Sequence, residues 1–304
     1  MKRFSLSALL LLCLLITGLA QYPQLAVMMG TASGPIGGPL DDVSADAYAA
    51  YSVARSLDKD WTNAIIRIRE SGGNNETNIG VYLSGRYLVL DASGVASWCG
   101  ANAGYVVTLY DQSGNANDAT QATSTKQMLL WDGGDFITLS NGKIAIESDG
   151  GDWYATGQDN ADVQPSTRYW VGEDYASMTN KSRSDGDGTT WGALNYATAT
   201  NSAHLYAGTH LSGAANQITI GVAFLHSAVI NGASSSIRVN ENAQKTGSAG
   251  SADPKGVTIG NNFVQNDAGI YIRFCEFIAY SAAQASTPQA TLRANFAAFH
   301  GEFQ

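Results

Sequence analysis

The segment Ala64-Ile65-Ile66-Arg67-Ile68-Arg69-Glu70 has the residue pattern of a β-strand. From Ile66 onward, apolar and charged residues alternate, which is the two-residue period of a strand with one buried and one exposed face. The basic residues Arg67 and Arg69 fall on the exposed face of this pattern. The stretch therefore predicts a half-buried β-strand that carries surface arginines.

The same pattern recurs along the chain and predicts an all-β protein. Short alternating segments are separated by clusters of Gly, Asn, Asp and Ser, which favour turns. These segments lie at 81–83, 105–110, 136–139, 144–146, 169–173, 236–239, 257–259 and 270–279. The run 218–230 is apolar on both faces in its middle, which is typical of a central strand covered on both sides. Many short strands joined by polar turns predict a β-sandwich.

Two helices are predicted, one at each end of this domain. In 44–57 apolar residues recur at mixed three- and four-residue spacing, and Ser44 is placed to cap them. Near the C-terminus, Thr287 and Pro288 supply an N-cap and a first-turn proline before a second apolar face. We therefore expect one sandwich domain over 44–304, preceded by a linker or arm over 21–43.

The first 20 residues have the layout of a signal peptide. Lys2 and Arg3 precede an apolar run from Leu9 to Ile16, and small residues follow. This run is shorter than the about 20 apolar residues that span a bilayer, so no membrane span is predicted. Two alternatives stay open. A cleaved leader implies a secreted protein, whereas a retained one implies an apolar segment packed inside an oligomer, as in a virion protein.

Charge and cysteine content exclude some classes of function. The chain has 17 Lys and Arg against 26 Asp and Glu, a net charge of −9. Binding to a nucleic-acid backbone needs clustered cations, so nucleic acid is not expected as a partner. Outside the leader only Cys99 and Cys275 remain, and they allow either a disulfide or two buried thiols. No zinc site or other resident cofactor is predicted.

The most distinctive motif is the loop Tyr110-Asp-Gln-Ser-Gly-Asn-Ala-Asn-Asp-Ala-Thr120. Asp, Asn and Gly at this density favour tight turns in which side-chain oxygens bond the backbone. The same oxygens suit Ca²⁺ or sugar hydroxyls, so a structural loop and a glycan-binding loop both stay open. The candidate residues are Asp111, Gln112, Asn115, Asn117 and Asp118. A second oxygen-rich loop offers Asp185 and Asp187 as a candidate calcium site.

Four tryptophans stand beside Gly or Asp, where aromatic platforms for sugar rings are often found. They are Trp131, Trp153, Trp170 and Trp191. The pattern leaves open whether each forms a platform or part of the core.

These motifs resemble the catalytic domain of the α-L-arabinofuranosidase B family. Ala50-Tyr51-Ser52-Val53, Ile66–Arg69, Asn78-Ile79-Gly80 and 109–120 follow the order and spacing of that family's AYSLR, VRR, DIGF and WYDQSGNGNDAT segments. The resemblance covers about residues 45–300 and is strongest in 47–125. It implies a concanavalin A-like, laminin G-like jelly-roll β-sandwich. Similar modules occur in bacteriophage virion proteins, many of them non-catalytic.

The resemblance also implies where catalysis should reside. A retaining glycosidase needs two carboxyl groups about 5 Å apart. The family's acid/base aspartate lies in an Ile-Gly-Gly-Asp-Asn stretch, and the nearest match here, Ile259-Gly260-Asn261-Asn262, carries amides instead. An amide cannot cycle a proton as a carboxylic acid does. The remaining candidates are Glu173 as nucleophile and Asp267 as a substitute acid.

Three hypotheses follow. The missing acid favours a non-catalytic structural or glycan-recognising module on a particle surface, in particular of a phage virion, assembled as a homo-oligomer with other virion proteins. In this reading Asn261 and Asn262 join the glycan-binding residues, and the chain is not expected to be an enzyme. The alternatives are a secreted glycoside hydrolase of α-L-arabinofuranosidase type and a secreted lectin-like protein.

Overall fold

The computed structural model describes residues 36–44, 46–178, 181–187, 194–197, 201–262, 264–265 and 269–303. This part of the chain contains two α-helices, α1 (Ala92–Cys99) and α2 (Ser286–His300), and two short 3-10 helices, Ser124–Lys126 and Gly232–Ser234. The strands are β1 (Ala47–Ser52), β2 (Ile66–Glu70), β3 (Glu76–Ile79), β4 (Val81–Ser84), β5 (Tyr87–Leu90), β6 (Gly104–Leu109), β7 (Ala119–Thr120), β8 (Leu129–Trp131), β9 (Ile146–Glu147), β10 (Tyr154–Ala155), β11 (Ser166–Asp174), β12 (Lys181–Asp185), β13 (Leu194–Ala197), β14 (Ala203–Tyr206), β15 (His210–Ser212), β16 (Phe224–Ile230), β17 (Ser235–Val239), β18 (Lys245–Gly247), β19 (Thr258–Ile259) and β20 (Ile272–Tyr280).

The strands form two antiparallel layers. The first layer has the order β1-β20-β11-β16-β17-β18. The second has the order β3-β2-β6-β7-β10-β19-β12-β13-β14-β15. Strands β8 and β9 connect β6 to β20, and β4 pairs with β5 as a separate hairpin. The described residues are therefore mostly β-sheet, as the alternating pattern predicts.

The main core lies between the two layers. Tyr51, Trp170 and Phe277 of the first layer belong to one buried cluster with Ile68 and Val106 of the second. Full burial of a large apolar side chain contributes about 1.5–3 kcal/mol relative to exposure. This cluster therefore holds the two layers together.

A second core covers the other face of the first layer. Tyr169, Val171 and Leu225 form a buried cluster with Leu292 and Phe296 of α2. Strands β11 and β16 are consequently buried on both faces. The prediction of a central, doubly covered strand in the run 218–230 is confirmed, although the strand itself begins only at Phe224.

The N-terminal helix predicted over 44–57 is wrong. Residues Ala47–Ser52 form β1, which pairs with β20 and is buried at all six positions. Because both faces of this strand are covered, apolar residues occur on both sides, and their spacing imitates that of a helix. The segment 136–139 is also not a strand, since Phe136 and Thr138 make only isolated bridges. Among the described residues the first α-helix is instead α1, where the Asp91 side chain accepts a hydrogen bond from the Gly94 N–H and caps the first turn.

The C-terminal helix is present and begins at Ser286, but its N-cap is Ala285 and not the predicted Thr287, and none of the described side chains caps it. Its buried face carries Leu292, Phe296 and Phe299. Cys99 and Cys275 are both buried and free. The leader and most of the arm, residues 1–35, lie outside the described residues, and no helix among the described residues has the length and apolar character needed to cross a bilayer.

Candidate functional site

The loop 110–118 folds back onto β1 through the Asp111 carboxylate. Its oxygens accept hydrogen bonds from the Ala50 N–H at 2.8 Å, the Ser113 N–H at 2.9 Å, the Ser113 hydroxyl at 2.7 Å and the Asn117 N–H at 3.0 Å. Four donors occupy the roughly four lone-pair positions of a carboxylate. Asp118 in turn accepts from the Asp111 N–H at 2.9 Å. The buried Asp111 carboxylate therefore serves to bind backbone N–H groups of β1 and of its own loop.

The amide side chains of the loop also bind backbone. The Asn115 amide donates to the Ala47 carbonyl at 2.7 Å, and the Asn117 amide donates to the Tyr48 carbonyl at 2.8 Å. The Gln112 amide oxygen accepts from the Leu57 N–H at 2.8 Å. We call residues 110–118 the β1 clamp, because their side chains fasten β1 and the segment after it.

Asn261 and Asn262 are buried directly after β19, and the Asn261 amide oxygen accepts from the Asn262 N–H at 2.8 Å. Strand β19 lies between β10 and β12. Gly260 has φ +81°, and a Cβ there would lie 2.8 Å from the Asp152 carbonyl oxygen. The amide-bearing strand end therefore passes close against the backbone of Asp152.

Glu173 lies near the end of β11 and is buried. One carboxylate oxygen accepts from the Ser140 N–H at 2.7 Å, and the other faces Arg273 Nη1 at 3.4 Å. The same Arg273 donates from Nε to Glu147 at 2.7 Å. Arg273 thus connects Glu173 to Glu147. Asp267, the predicted substitute acid, lies outside the described residues.

Asp185 is the last residue of β12 and Asp187 follows the strand, where burial raises the pKa of the Asp187 carboxyl. An Asp185 oxygen accepts from the Gly186 N–H at 2.7 Å, and Gln265 donates to Asp187 at 3.5 Å. Calcium at this pair stays a prediction.

Among the described residues, three or more candidate metal ligands converge at two other places. One is the buried group Cys275, Glu276 and His300, and the other is the acidic surface group Asp41, Asp58 and Asp60. Glu276 binds the Arg55 guanidinium with both oxygens, at 2.9 and 3.1 Å. The buried group is thus part of an ion-pair network.

A cavity of about 480 Å³ brings three carboxyl groups together. We call it the acidic cleft. Its lining consists of Arg69, Ser71, Tyr105, Ser124, Thr125, Gln127, Leu129, Glu147, Asp149 and Asp152. Its volume lies in the range of about 300–1,000 Å³ that is usual for small-molecule sites.

Local structure explains why these three carboxyl groups line the same cavity. Side chains two residues apart on an extended chain face the same side, which places Glu147 and Asp149 together at the end of β9. In the turn that follows, the Asp152 carboxyl accepts a hydrogen bond from the Asp149 N–H at 2.9 Å and so lies close to Asp149. Burial raises the pKa of Asp152 to about 7, and the neighbouring Asp149 carboxylate also raises it. Asp152 therefore keeps its proton up to near-neutral pH.

Arg69 supplies the positive charge of the cleft, and it is buried and fixed. Its guanidinium donates to the Gln127 amide oxygen at 2.8 Å, the Asn74 amide oxygen at 2.7 Å and the Ser124 carbonyl at 3.3 Å. The cleft residues are missed by the sequence analysis. The available signal is Ser148-Asp149-Gly150-Gly151-Asp152, two acids in a glycine turn directly after a strand.

The comparisons with known proteins point to one family. Residues 42–156 match the family model described as "Alpha-L-arabinofuranosidase B, catalytic". All three carboxyl groups of the acidic cleft fall inside this range. The α-L-arabinofuranosidase B of Emericella nidulans is 32% identical over 101 residues, 32% of this chain and 19% of that enzyme. The α-L-arabinofuranosidase B of Aspergillus niger is 31% identical over 99 residues. The match thus spans about a fifth of the length of these relatives.

Solved arabinofuranosidases share the fold over most of the chain. A mutant of a GH54 α-L-arabinofuranosidase soaked with 4-nitrophenyl α-L-arabinofuranoside has a TM-score of 0.63 at 17% identity, covering 86% of this chain and 65% of that one. An arabinofuranosidase complexed with arabinofuranosyl-α-1,2-xylobiose has a TM-score of 0.66 at 18% identity, covering 88% and 66%.

These matches correct two expectations. The hypothesis of a non-catalytic module on a phage virion is wrong, and so is the expectation that the chain is not an enzyme, because the family match and the structural relatives are both arabinofuranosidases. The alternative hypothesis, a glycoside hydrolase of this type, is the one that they support.

Proposed function

We propose that the chain is a secreted glycoside hydrolase of α-L-arabinofuranosidase type, on a concanavalin A-like jelly-roll scaffold. The observation that carries the proposal is the coincidence of the family match with the acidic cleft. The matched residues 42–156 contain Glu147, Asp149 and Asp152, which line one cavity of about 480 Å³. Glycoside hydrolysis requires two carboxyl groups at one site, one of which donates a proton, and the pKa of Asp152 is raised to about 7.

Asp152 is the proposed general acid. Its pKa of about 7 keeps it protonated at mildly acidic and neutral pH, so it can donate that proton to the leaving glycosidic oxygen. Its position also addresses the missing family acid. Asp152 lies two residues before Tyr154, which pairs with Ile259, and a Cβ on Gly260 would stand 2.8 Å from the Asp152 carbonyl oxygen, so Asp152 lies on the segment next to the one that carries Asn261.

Glu147 is the proposed nucleophile, and its carboxylate pairs with Arg273 Nε at 2.7 Å. In the first step a Glu147 oxygen bonds to the anomeric carbon, the glycosidic C–O bond breaks, and the Asp152 proton passes to the leaving oxygen. In the second step Asp152 takes a proton from water, the water oxygen bonds to the anomeric carbon, and Glu147 is released. Glu173 positions Arg273 from its other side.

The test is hydrolysis of 4-nitrophenyl α-L-arabinofuranoside by the full chain between pH 4 and 8. We expect release of 4-nitrophenol by the wild type, and loss of at least 100-fold in the double variant Glu147→Gln/Asp152→Asn. The matched control is Asp135→Asn, an exposed carboxyl outside the cleft, which should retain wild-type rates.

Two outcomes would refute the proposal. One is a folded wild type that releases no 4-nitrophenol at any pH in this range. The other is equal activity in the wild type and the double variant, which would move the chemistry out of the acidic cleft.

A further inference from the structure

A second cavity, of about 510 Å³, lies at the other end of β2. Its lining includes the aromatic residues Trp61 and Tyr110, the amides Asn63 and Asn78, and Asp118 of the β1 clamp. We call this cavity the Trp61 groove. The proposed reaction uses none of these residues.

The groove is held in shape by short polar contacts. The Trp61 indole N–H donates to the Ala64 carbonyl at 3.2 Å, which fixes the ring at the edge of the core. The Tyr110 hydroxyl donates to the Asn78 amide oxygen at 2.8 Å. Residues of the β1 clamp form part of the lining. Because hydrogen bonds already fix these residues, a ligand would have to immobilise few side chains on binding.

The chemistry of the lining fits a neutral sugar. Aromatic side chains bury the apolar faces of ligands, while amides and a carboxylate hydrogen-bond to hydroxyl groups. The lining contains two acidic residues, Asp111 and Asp118, and no Lys or Arg. An anionic ligand would meet the negative charge of these carboxylates, which disfavours phosphates and acidic sugars.

The groove and the acidic cleft lie at opposite ends of β2. Trp61, Asn63 and Ala64 precede the strand, whereas Arg69 and Ser71 belong to the cleft. At about 3.3 Å per residue, Ala64 and Arg69 are about 17 Å apart along the chain. A polymer lying along β2 can therefore reach both cavities at once.

We propose that the Trp61 groove binds a neutral, arabinose-bearing polysaccharide and holds it across β2 while one side branch enters the acidic cleft. The choice of an arabinose-bearing polymer rests on the proposed function, whereas the choice of a neutral saccharide rests on the groove itself. Linking two weak contacts through one polymer raises the effective concentration at the second site.

The test is affinity electrophoresis in native gels that contain soluble arabinoxylan, performed in the Asp152→Asn background to prevent turnover. We expect the polymer to retard this protein, and Trp61→Ala to weaken retardation at least five-fold. Trp61→Phe should keep most of the retardation. Trp98→Ala is the matched control, because Trp98 is 42% exposed on α1, outside the groove. Since Trp61 packs on the core, Asn63→Ala provides a second variant at an exposed position, with an expected two- to five-fold loss.

The outcomes separate this proposal from the proposed function. Retardation that depends on Trp61 supports the groove even if the wild type hydrolyses no arabinofuranoside. In an active wild type, Trp61→Ala should raise KM for arabinoxylan several-fold and leave kcat/KM for 4-nitrophenyl α-L-arabinofuranoside unchanged. Equal retardation of the folded Trp61→Ala and Trp98→Ala proteins, absence of retardation, or stronger retardation by polygalacturonate would each overturn the proposal.

Discussion

The β1 clamp and the acidic cleft are built from the same residue types, but their buried aspartates accept different numbers of hydrogen bonds from the protein. Both are glycine-containing turns rich in aspartate, and each has a buried aspartate at its centre. Asp111 in the clamp accepts four hydrogen bonds from protein donors, whereas Asp152 in the cleft accepts one from the Asp149 N–H and lies beside a second carboxyl group. The number of donors, not the composition of the loop, separates a structural aspartate from a reactive one.

Elementary electrostatics explains this difference. Burial penalises the charged form of a carboxyl, and hydrogen bonds to that form offset the penalty. At Asp152 the penalty dominates, and the pKa rises to about 7. In the clamp, the Asp111 carboxylate binds β1 through hydrogen bonds. In the cleft, Asp152 retains a proton that it can transfer.

The largest expected effect is on activity, in Asp152→Asn. Removing a general acid typically costs about 10²–10⁴-fold in rate, so kcat/KM for the aryl arabinofuranoside should fall within that range. Because the pKa of Asp152 is raised to about 7, its acid form persists up to that pH, and wild-type activity should decline as pH rises through 7. Steady-state rates measured from pH 4 to 9 check both statements.

Stability provides a second readout for the same variant. The folded state binds the Asp152 proton more tightly than the unfolded state, so the wild type should lose stability as pH rises from about 4 to 7. Asp152→Asn should not show that loss. Parallel pH curves of Tm for the two proteins would contradict the assignment of a raised pKa to this residue.

A smaller effect, on stability, is expected in Asp111→Asn. The amide replaces one oxygen, and with it two acceptor positions, by N–H donors that face either the N–H groups of Ala50 and Ser113 or the Ser113 hydroxyl and the Asn117 N–H. Leaving buried donors unpaired costs about 1–3 kcal/mol each, and partial relaxation should limit the total to about 3 kcal/mol. Urea unfolding followed by tryptophan fluorescence measures this change. Per folded molecule, hydrolysis should remain within two-fold of the wild type, and a larger drop would show that the clamp takes part in the chemistry.

The sequence predicts the architecture better than the site. Alternation of apolar and charged residues identifies β2, because its apolar residues Ile66 and Ile68 lie in the core between the layers. It fails at Ala47–Ser52, where burial on both faces removes the alternation. The sequence indicates Asp111 as a candidate glycan-binding residue because its loop is rich in Asp, Asn and Gly. In the structure its side chain instead accepts hydrogen bonds from the backbone.

The site residues escape prediction for a different reason. The raised pKa of Asp152 depends on its burial and on the return of the chain past Asp149, and neither is visible in a list of residues. Trp61 is likewise missed by the sequence analysis, although it stands directly after Asp60. Of the tryptophans that the sequence analysis names, Trp131 and Trp170 are buried in the core. Contacts between distant segments decide both cases.

The smallest effect is expected in Asn115→Ala, which trims the clamp without touching its carboxylate. The Asn115 amide donates to the Ala47 carbonyl at 2.7 Å, near the start of β1, and the residue itself is exposed. A hydrogen bond of this kind contributes about 1 kcal/mol, and water can replace the lost donor at an exposed position. The free energy of unfolding should therefore fall by about 1 kcal/mol, a third of the loss expected for Asp111→Asn. If the two variants instead lose equal stability in urea unfolding, the clamp acts as a set of equivalent amide contacts, and the central role of the Asp111 carboxylate is wrong.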